Sequence, residues 1–293
     1  MGIKRKKRFG DRREGRRLRT LDPLNALTPY IMKVKSDASN YFSDSIEISG
    51  IESYLRCKRQ EGYPGIGILH LIIAAYIRIV SQYPGINRFI SGQRIYAREN
   101  IEFLMMIKRE MKAASSETSI KISFDTRDTI FDVFNKLNAE IDKVKKEGDA
   151  TDTDDVAKAF MRLPRLILKC AVFFFTKLDY FGLLPKTLIK ASPFHGSVVA
   201  TDLGSIGMPA IYHHLYDFGN IPIFIAIGAK RKIFEPGTDG TIEQHKYVDY
   251  KFTVDERICD GFYFSQAFRL FKSVLQQPEI LDKPPKTVVE DID

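Results

Sequence analysis

A helix that is apolar nearly all round leaves a chain little choice, because it must lie inside a core thick enough to surround it. Gly67 to Tyr83 is such a stretch. Ile68, Leu69, Leu71, Ile72, Ile73, Ala74, Ala75, Ile77, Ile79 and Val80 point in all directions around a helical wheel, and Tyr83-Pro84-Gly85 ends the run. A chain of 293 residues is long enough to supply one such large core, or two small ones. His70 sits inside this helix and reads as a satisfied core residue rather than a catalyst.

Nothing in the sequence demands a membrane span. No apolar run reaches the roughly 20 residues that crossing requires. The nearest, Leu166 to Leu184, is interrupted by Lys169, Lys177 and Asp179. Its cluster Val172-Phe173-Phe174-Phe175 is expected to be buried in a core or a subunit interface, with a membrane surface as the alternative. The basic start is not followed by the apolar segment of a signal peptide. Three cysteines (Cys57, Cys170, Cys259) are too few for a disulfide framework and match no metal-site spacing. A reducing, cytoplasmic setting and no bound metal are therefore expected.

The net charge of +8 has one source. Residues 1–20 hold ten Lys/Arg against Asp11 and Glu14, so that segment accounts for all of it. Basicity is thus a property of an arm, residues 1–22, and not of the fold. Such an arm either touches an anionic partner (nucleic acid, membrane or acidic protein) or is a solvated extension or packs on a neighbouring subunit; the second group is preferred.

Beyond the arm, Ser45 to Ile51 reads as a short strand. Gln93 to Ala97, Ile101 to Ile107 and Ser119 to Phe124 also read as strands. Residues 128–145 turn helical, with Ile130, Phe134, Leu137, Ile141 and Val144 on one face. The acidic run Glu147 to Asp155 is placed to cap a helix resuming at Val156, with breaks at Pro164 and Pro185. Ser197 to Thr201, Ile223 to Ile227 and the alternating Tyr247 to Val254 are strands, and Phe264, Phe268, Phe271 and Leu275 give a last amphipathic helix stopped at Pro278. Strands and helices mix without strict βαβ spacing, so the class is α/β with a mixed sheet flanked by helices.

The stretch Thr253-Val254-Asp255-Glu256-Arg257-Ile258-Cys259-Asp260-Gly261 carries the most chemistry. A strand ends on an acidic and basic cluster, an Asp-Gly turn follows and a helix starts, which is where α/β sheets place functional side chains. Asp260 either caps the helix or pairs with an arginine. Cys259 beside a carboxylate is a poor nucleophile, because the negative charge raises its thiol pKa.

This stretch resembles the HxxxDG signature of the chloramphenicol acetyltransferase-like acyltransferases. It is closest to the DHR-x-x-DG form in the catalytic domain of dihydrolipoamide acyltransferases, with Glu256 in place of the histidine. Three further segments agree in order. Gly196 to Gly207 is similar to the family's GTFTISNLGxxG strand and turn, Asn220 to Gly228 to its NPPEVAILGVG strand, and Tyr83 to Phe89 to its FPxLNA turn. The resemblance covers roughly residues 35–281, with about 150–190 as a helical insertion. It implies a basic arm at 1–22, an acyltransferase-like domain at 23–283 and a tail at 284–293.

The resemblance implies acyl transfer between coenzyme A and a hydroxyl, amine or thiol acceptor, small or carrier-borne. The assembly it implies is a homotrimer with active sites between subunits. Carried over by position, Glu256 takes the general base's place, Thr201 the oxyanion-stabilising place and Asp260 the structural place that pairs with arginine. Arg257, Gly261 and Asp202 support them, and His213 and His214 are a further candidate pair beside the Gly204–Gly207 turn. His195 is structural. An ordinary glutamate holds a proton more weakly than histidine by about 3 kcal/mol. Burial against apolar neighbours narrows that gap. The alternative is an inactive member of the fold that binds a ligand or partner. No lipoylation motif is present, so no lipoyl group is expected on this chain.

Overall fold

The computed structural model describes residues 6–108, 117–146, 158–237 and 240–293. Its centre is the nearly all-apolar helix. It runs as α3 (Ile68–Gln82), where Leu71, Ile73, Ala75, Tyr76 and Ile79 have essentially no exposure. His70 is buried there too, and its Nδ1 accepts the Gly67 N–H at 3.1 Å, closing the helix start. Two helices flank α3: α4 (Ile130–Lys146) and α7 (Gly261–Gln276). The reciprocal bonds between Thr129 and Asp132 begin α4. The acidic run from Glu147 lies outside the described residues.

These helices cover one face of a six-stranded mixed sheet, in the order β2-β9-β8-β7-β5-β6. Its strands are β2 (Ser39–Glu47), β5 (Ile101–Lys108), β6 (Glu117–Phe124), β7 (Val198–Asp202), β8 (Ile223–Pro236) and β9 (Ile242–Asp255). The middle trio β5, β7 and β8 is parallel and the other pairings are antiparallel. Strand residues alternate between two faces. Val198, Ala200, Ile223, Ile225, Phe252 and Val254 point into the main core. Leu104, Val199 and Phe224 point the other way and meet Leu215 and Ile221 in a second, smaller cluster. The segment after β7 crosses that second face.

Several expectations are corrected. The strand expected at Ser45 to Ile51 is the end of β2, which starts at Ser39. From Ser49 the chain is instead helix α2 (Ser49–Gln60). The short strand expected at Ile223 to Ile227 continues to Pro236, because it forms a long two-stranded arm with β9. Residues 1–22 are not wholly irregular. Gly15–Arg17 (β1) joins β4 (Arg94–Arg98) and β3 (Arg88–Ser91) in a small antiparallel sheet.

Much of the described part of the basic arm folds onto its own chain, although Lys6 to Phe9 are exposed. Arg16 donates to the carbonyls of Asp291 and Ile292, and the backbone N–H groups of Arg19 and Thr20 donate to Asp293 O. The tail is held further in, where Arg88 forks onto the Asp291 carboxylate at 2.8 and 2.5 Å. The cluster Val172 to Phe175 lies on α5 (Arg165–Phe181), of which no residue is buried within this one chain, so the core half of the expectation is corrected. A short helix α6 (Lys186–Ala191) follows it.

Candidate functional site

The turn after β9 is built on a buried ion pair. Arg257 grips Asp255 with Nε to Oδ1 at 2.7 Å and Nη2 to Oδ2 at 2.6 Å, both side chains almost wholly buried. Its third nitrogen, Nη1, reaches Met32 O at 2.9 Å, just past α1 (Pro23–Ile31). Glu256 sits between the two paired residues, so its backbone has no freedom to drift. Its N–H donates to Ala38 O at 2.9 Å. Its half-buried carboxylate accepts from Asn40 Nδ2 at 2.6 Å through Oε2.

Asp260 does not pair with an arginine. Its Oδ1 accepts the Tyr263 N–H at 2.8 Å, which makes it the cap of α7. Arg257 is committed to Asp255, the nearer carboxylate, and so leaves Asp260 to the helix. Gly261 is the first residue of α7. Cys259 is buried, and burial, more than the neighbouring carboxylates, pushes its thiol pKa well up.

Thr201 lies elsewhere. It is near the end of β7, half-buried, on the face that Val199 and Phe224 share. The register Val198↔Ile223↔Val254 places Glu256 five residue positions along the sheet from Thr201 and two strands across. At about 3.3 Å per residue that is about 17 Å along the strands. One chain therefore does not bring these two residues together.

Asp202 follows Thr201 and caps the turn, with Oδ1 accepting the Ser205 N–H at 3.2 Å. Burial raises its carboxyl pKa against the opposing backbone bonds. His213 lies on the second face of the sheet. Its ring stacks on Phe224 at 4.2 Å, its carbonyl accepts from Thr253 Oγ1 at 2.5 Å, and burial lowers its pKa. His213 Nε2 is enclosed and, among the described residues, has no hydrogen-bond partner. His214 is exposed and meets Tyr216 edge-on. His195 is buried, with Nδ1 2.8 Å from Ser192 Oγ and Nε2 facing Asp179 at 3.2 Å.

A cleft of about 590 Å³ opens where the parallel pairing of β7 with β8 ends, at Asp202 and Ile227. Asp202, Gly204, Ser205, Gly228 and Lys230 form its floor, and α2 contributes Glu52, Arg56 and Arg59 as its wall. Crevices at the carboxyl ends of parallel strands are where α/β sheets take ligands. Glu52 receives both Lys230 at 2.5 Å and Lys246 at 3.0 Å, and the Lys230 bond holds its carboxyl below the usual range. Arg59 donates Nε to Ile66 O, while Arg56 is exposed. Sequence reading missed this cleft. Its one available signal was the spacing of Arg56 and Arg59, three apart on a segment not read as helix. Among the described residues, no cluster of His, Cys, Asp or Glu could hold a metal ion.

No protein family model matches this sequence, and no curated protein matches it. Solved structures do. A probable dihydrolipoamide acetyltransferase from Listeria monocytogenes aligns over 93% of this chain and 97% of its own, with TM-score 0.57 and 12% identity. This chain has the fold of the chloramphenicol acetyltransferase-like acyltransferases. A chloramphenicol acetyltransferase aligns over 88% of this chain and 99% of its own, with TM-score 0.52 and 13% identity. The dihydrolipoamide acetyltransferase of Azotobacter vinelandii aligns over 88% of both chains, with TM-score 0.55 and 10% identity. The work on that last enzyme concerns the catalytic roles of a serine, a histidine and an asparagine. These three neighbours are acyltransferases by name, and the mixed sheet with its flanking helices is theirs.

Proposed function

We propose that this protein is a coenzyme A-dependent acyltransferase whose reaction centre is completed between copies of the chain in a homotrimer. The observation that carries the reading is the separation of Thr201 from Glu256 by about 17 Å of sheet within one chain. By sequence resemblance each residue takes a position that the family uses for catalysis, and in this proposal a second copy brings one against the other. The cleft supports the same reading. Arg56, Arg59 and Lys230 suit the phosphates of coenzyme A. Thr201 lies next in the chain to Asp202 at the cleft's edge but on the sheet's other face, so an acyl thioester held in the cleft has to pass the end of β7 to reach its hydroxyl.

In this proposal Glu256 takes the proton from the acceptor as it attacks the thioester carbonyl. The carbonyl carbon becomes tetrahedral, and the Thr201 hydroxyl of the other copy donates a hydrogen bond to the resulting oxyanion. Collapse breaks the carbon–sulfur bond, and the thiolate of coenzyme A leaves with the proton Glu256 had taken. Asn40 fixes the carboxylate through Oε2, so Oε1 is the oxygen that faces the acceptor. Arg257 and Asp255 position the turn, and Asp260 positions α7 behind it.

The second reading is an inactive trimer that keeps the cleft for binding. The bond from Asn40 favours it, because that bond occupies part of the group that would have to act as base. Release of free coenzyme A from acetyl-CoA, measured against hydroxyl, amine and thiol acceptors, separates the two. Turnover that Glu256→Gln lowers by about 10²-fold or more supports catalysis. No turnover in the parent, with turnover appearing in Glu256→His, assigns the protein to the second reading.

A further inference from the structure

The part of the fold that the acyl-transfer reading leaves unused is α5. Leu166, Cys170, Phe173, Phe174 and Phe181 recur at helical spacing along one face, and all are exposed. Phe173 is 65% exposed, Phe174 59% and Phe181 61%, values that suit polar residues. The opposite face, with Leu168, Phe175 and Leu178, is half-buried. The helix is nevertheless firmly held. Arg12 donates to the carbonyls of Tyr180 and Phe181, and Gly182 closes the end in a left-handed conformation. Tyr180 Oη donates to Gln93 Oε1 at 2.7 Å. Gln93 Nε2 in turn reaches Pro29 O of α1, 3.4 Å away, and α1 exposes Leu24, Leu27 and Ile31. Two helices with uncovered apolar faces therefore meet at one hairpin.

Charge decides what covers them. Residues 158–190 contain seven Lys/Arg and a single acidic residue, Asp179, which faces the buried His195. Residues 23–34 contain Lys33 and no acid. A two-fold contact with a second copy would set Lys169 and Lys177 against themselves, and like charges across an interface are repulsive; a head-to-tail contact within a trimer is the competing occupant that the solution mass below tests. An anionic surface meets the same residues favourably. Among the described residues no helix is long and apolar enough to cross a membrane. A basic helix with exposed aromatics and too short to cross lies instead in the headgroup plane, with its lysine stems reaching outward. We propose that α5, with α1 beside it, docks this protein onto an anionic lipid bilayer. The inference stands apart from the acyl-transfer reading, since binding is read without turnover.

Flotation of the full chain with vesicles tests it. Vesicles of phosphatidylcholine with phosphatidylserine should carry the protein upward at low salt, and pure phosphatidylcholine should carry far less. Phe173→Ser with Phe174→Ser should weaken capture about tenfold or more. Lys169→Glu with Lys177→Glu should weaken it on anionic vesicles only. All four residues are exposed, so circular dichroism should report unchanged folding. Failure to float with anionic vesicles overturns the proposal. So does capture that survives the double serine variant, which would assign binding to the basic arm. A drop in solution mass by light scattering in that variant, without lipid capture by the parent, would assign the face to a second copy.

Discussion

Removing the charge of Arg257 should unfold this protein more readily than almost any other single polar change. The Asp255 side chain is 1% exposed, and its two oxygens are held by Arg257 at 2.7 and 2.6 Å. Arg257→Met keeps most of the side-chain volume but strands that carboxylate, whose remaining donor is the residue 257 backbone N–H at 3.1 Å. An unpaired buried charge costs about 3–5 kcal/mol. The Met32 carbonyl loses its partner as well, for about a further 1 kcal/mol. Urea unfolding followed by circular dichroism should show a midpoint lowered by about 1–2 M. Asp255→Leu with Arg257→Met removes both charges, and it should be less destabilised than the two single costs added together. A loss under about 1 kcal/mol for Arg257→Met would refute the reasoning. So would strict additivity in the double variant, because then the pair would not be coupled at all.

If the centre forms between copies, Glu256→Gln and Thr201→Ala chains are each inactive, but refolding them together at equal amounts should recover about one quarter of parental turnover, since a quarter of neighbouring pairs join an intact Glu256 to an intact Thr201. Recovery near zero would place both residues in one chain's site. His70 is lowered in pKa by burial, so below about pH 6.5 the unfolded chain takes up a proton that the folded chain refuses. Thermal stability should therefore fall as pH drops from 7.5 towards 5.5, by at most about 1.4 kcal/mol per pH unit from this group. His70→Gln should flatten the slope, and an unchanged slope would count against it. Gly219→Ala should cost about 2 kcal/mol or more in the same unfolding assay. Its φ is +76°, and a Cβ there would sit 2.0 Å from Phe194 O. A neutral result would mean that the loop relaxes freely.

What the sequence could show depended on how local the cause was. The nearly all-apolar α3 was legible because most of its residues carry the same message of burial. The turn after β9 was legible because Asp260 and Gly261 act within a few residues of themselves. Helix α2 was not, because its inward residues Ile51, Tyr54, Leu55 and Lys58 are outnumbered by polar ones and its start follows a strand without a break. The outer halves of β8 and β9 were missed for a related reason. Their residues are exposed and lack alternation, and pairing with each other keeps them extended. The cleft inherits both gaps, since Arg56 and Arg59 lie on α2 and Lys230 lies past the expected end of β8. In α5 the composition argued for burial, yet burial needs a covering surface, and composition holds no information about whether one is built. The distance between Thr201 and Glu256 is the deepest case. Each was identified by its own neighbours in sequence, but their separation is set by the register of three strands, which depends on long-range pairing. A motif thus reports what a residue is suited to do, and the sheet decides which copy of the chain it does it with.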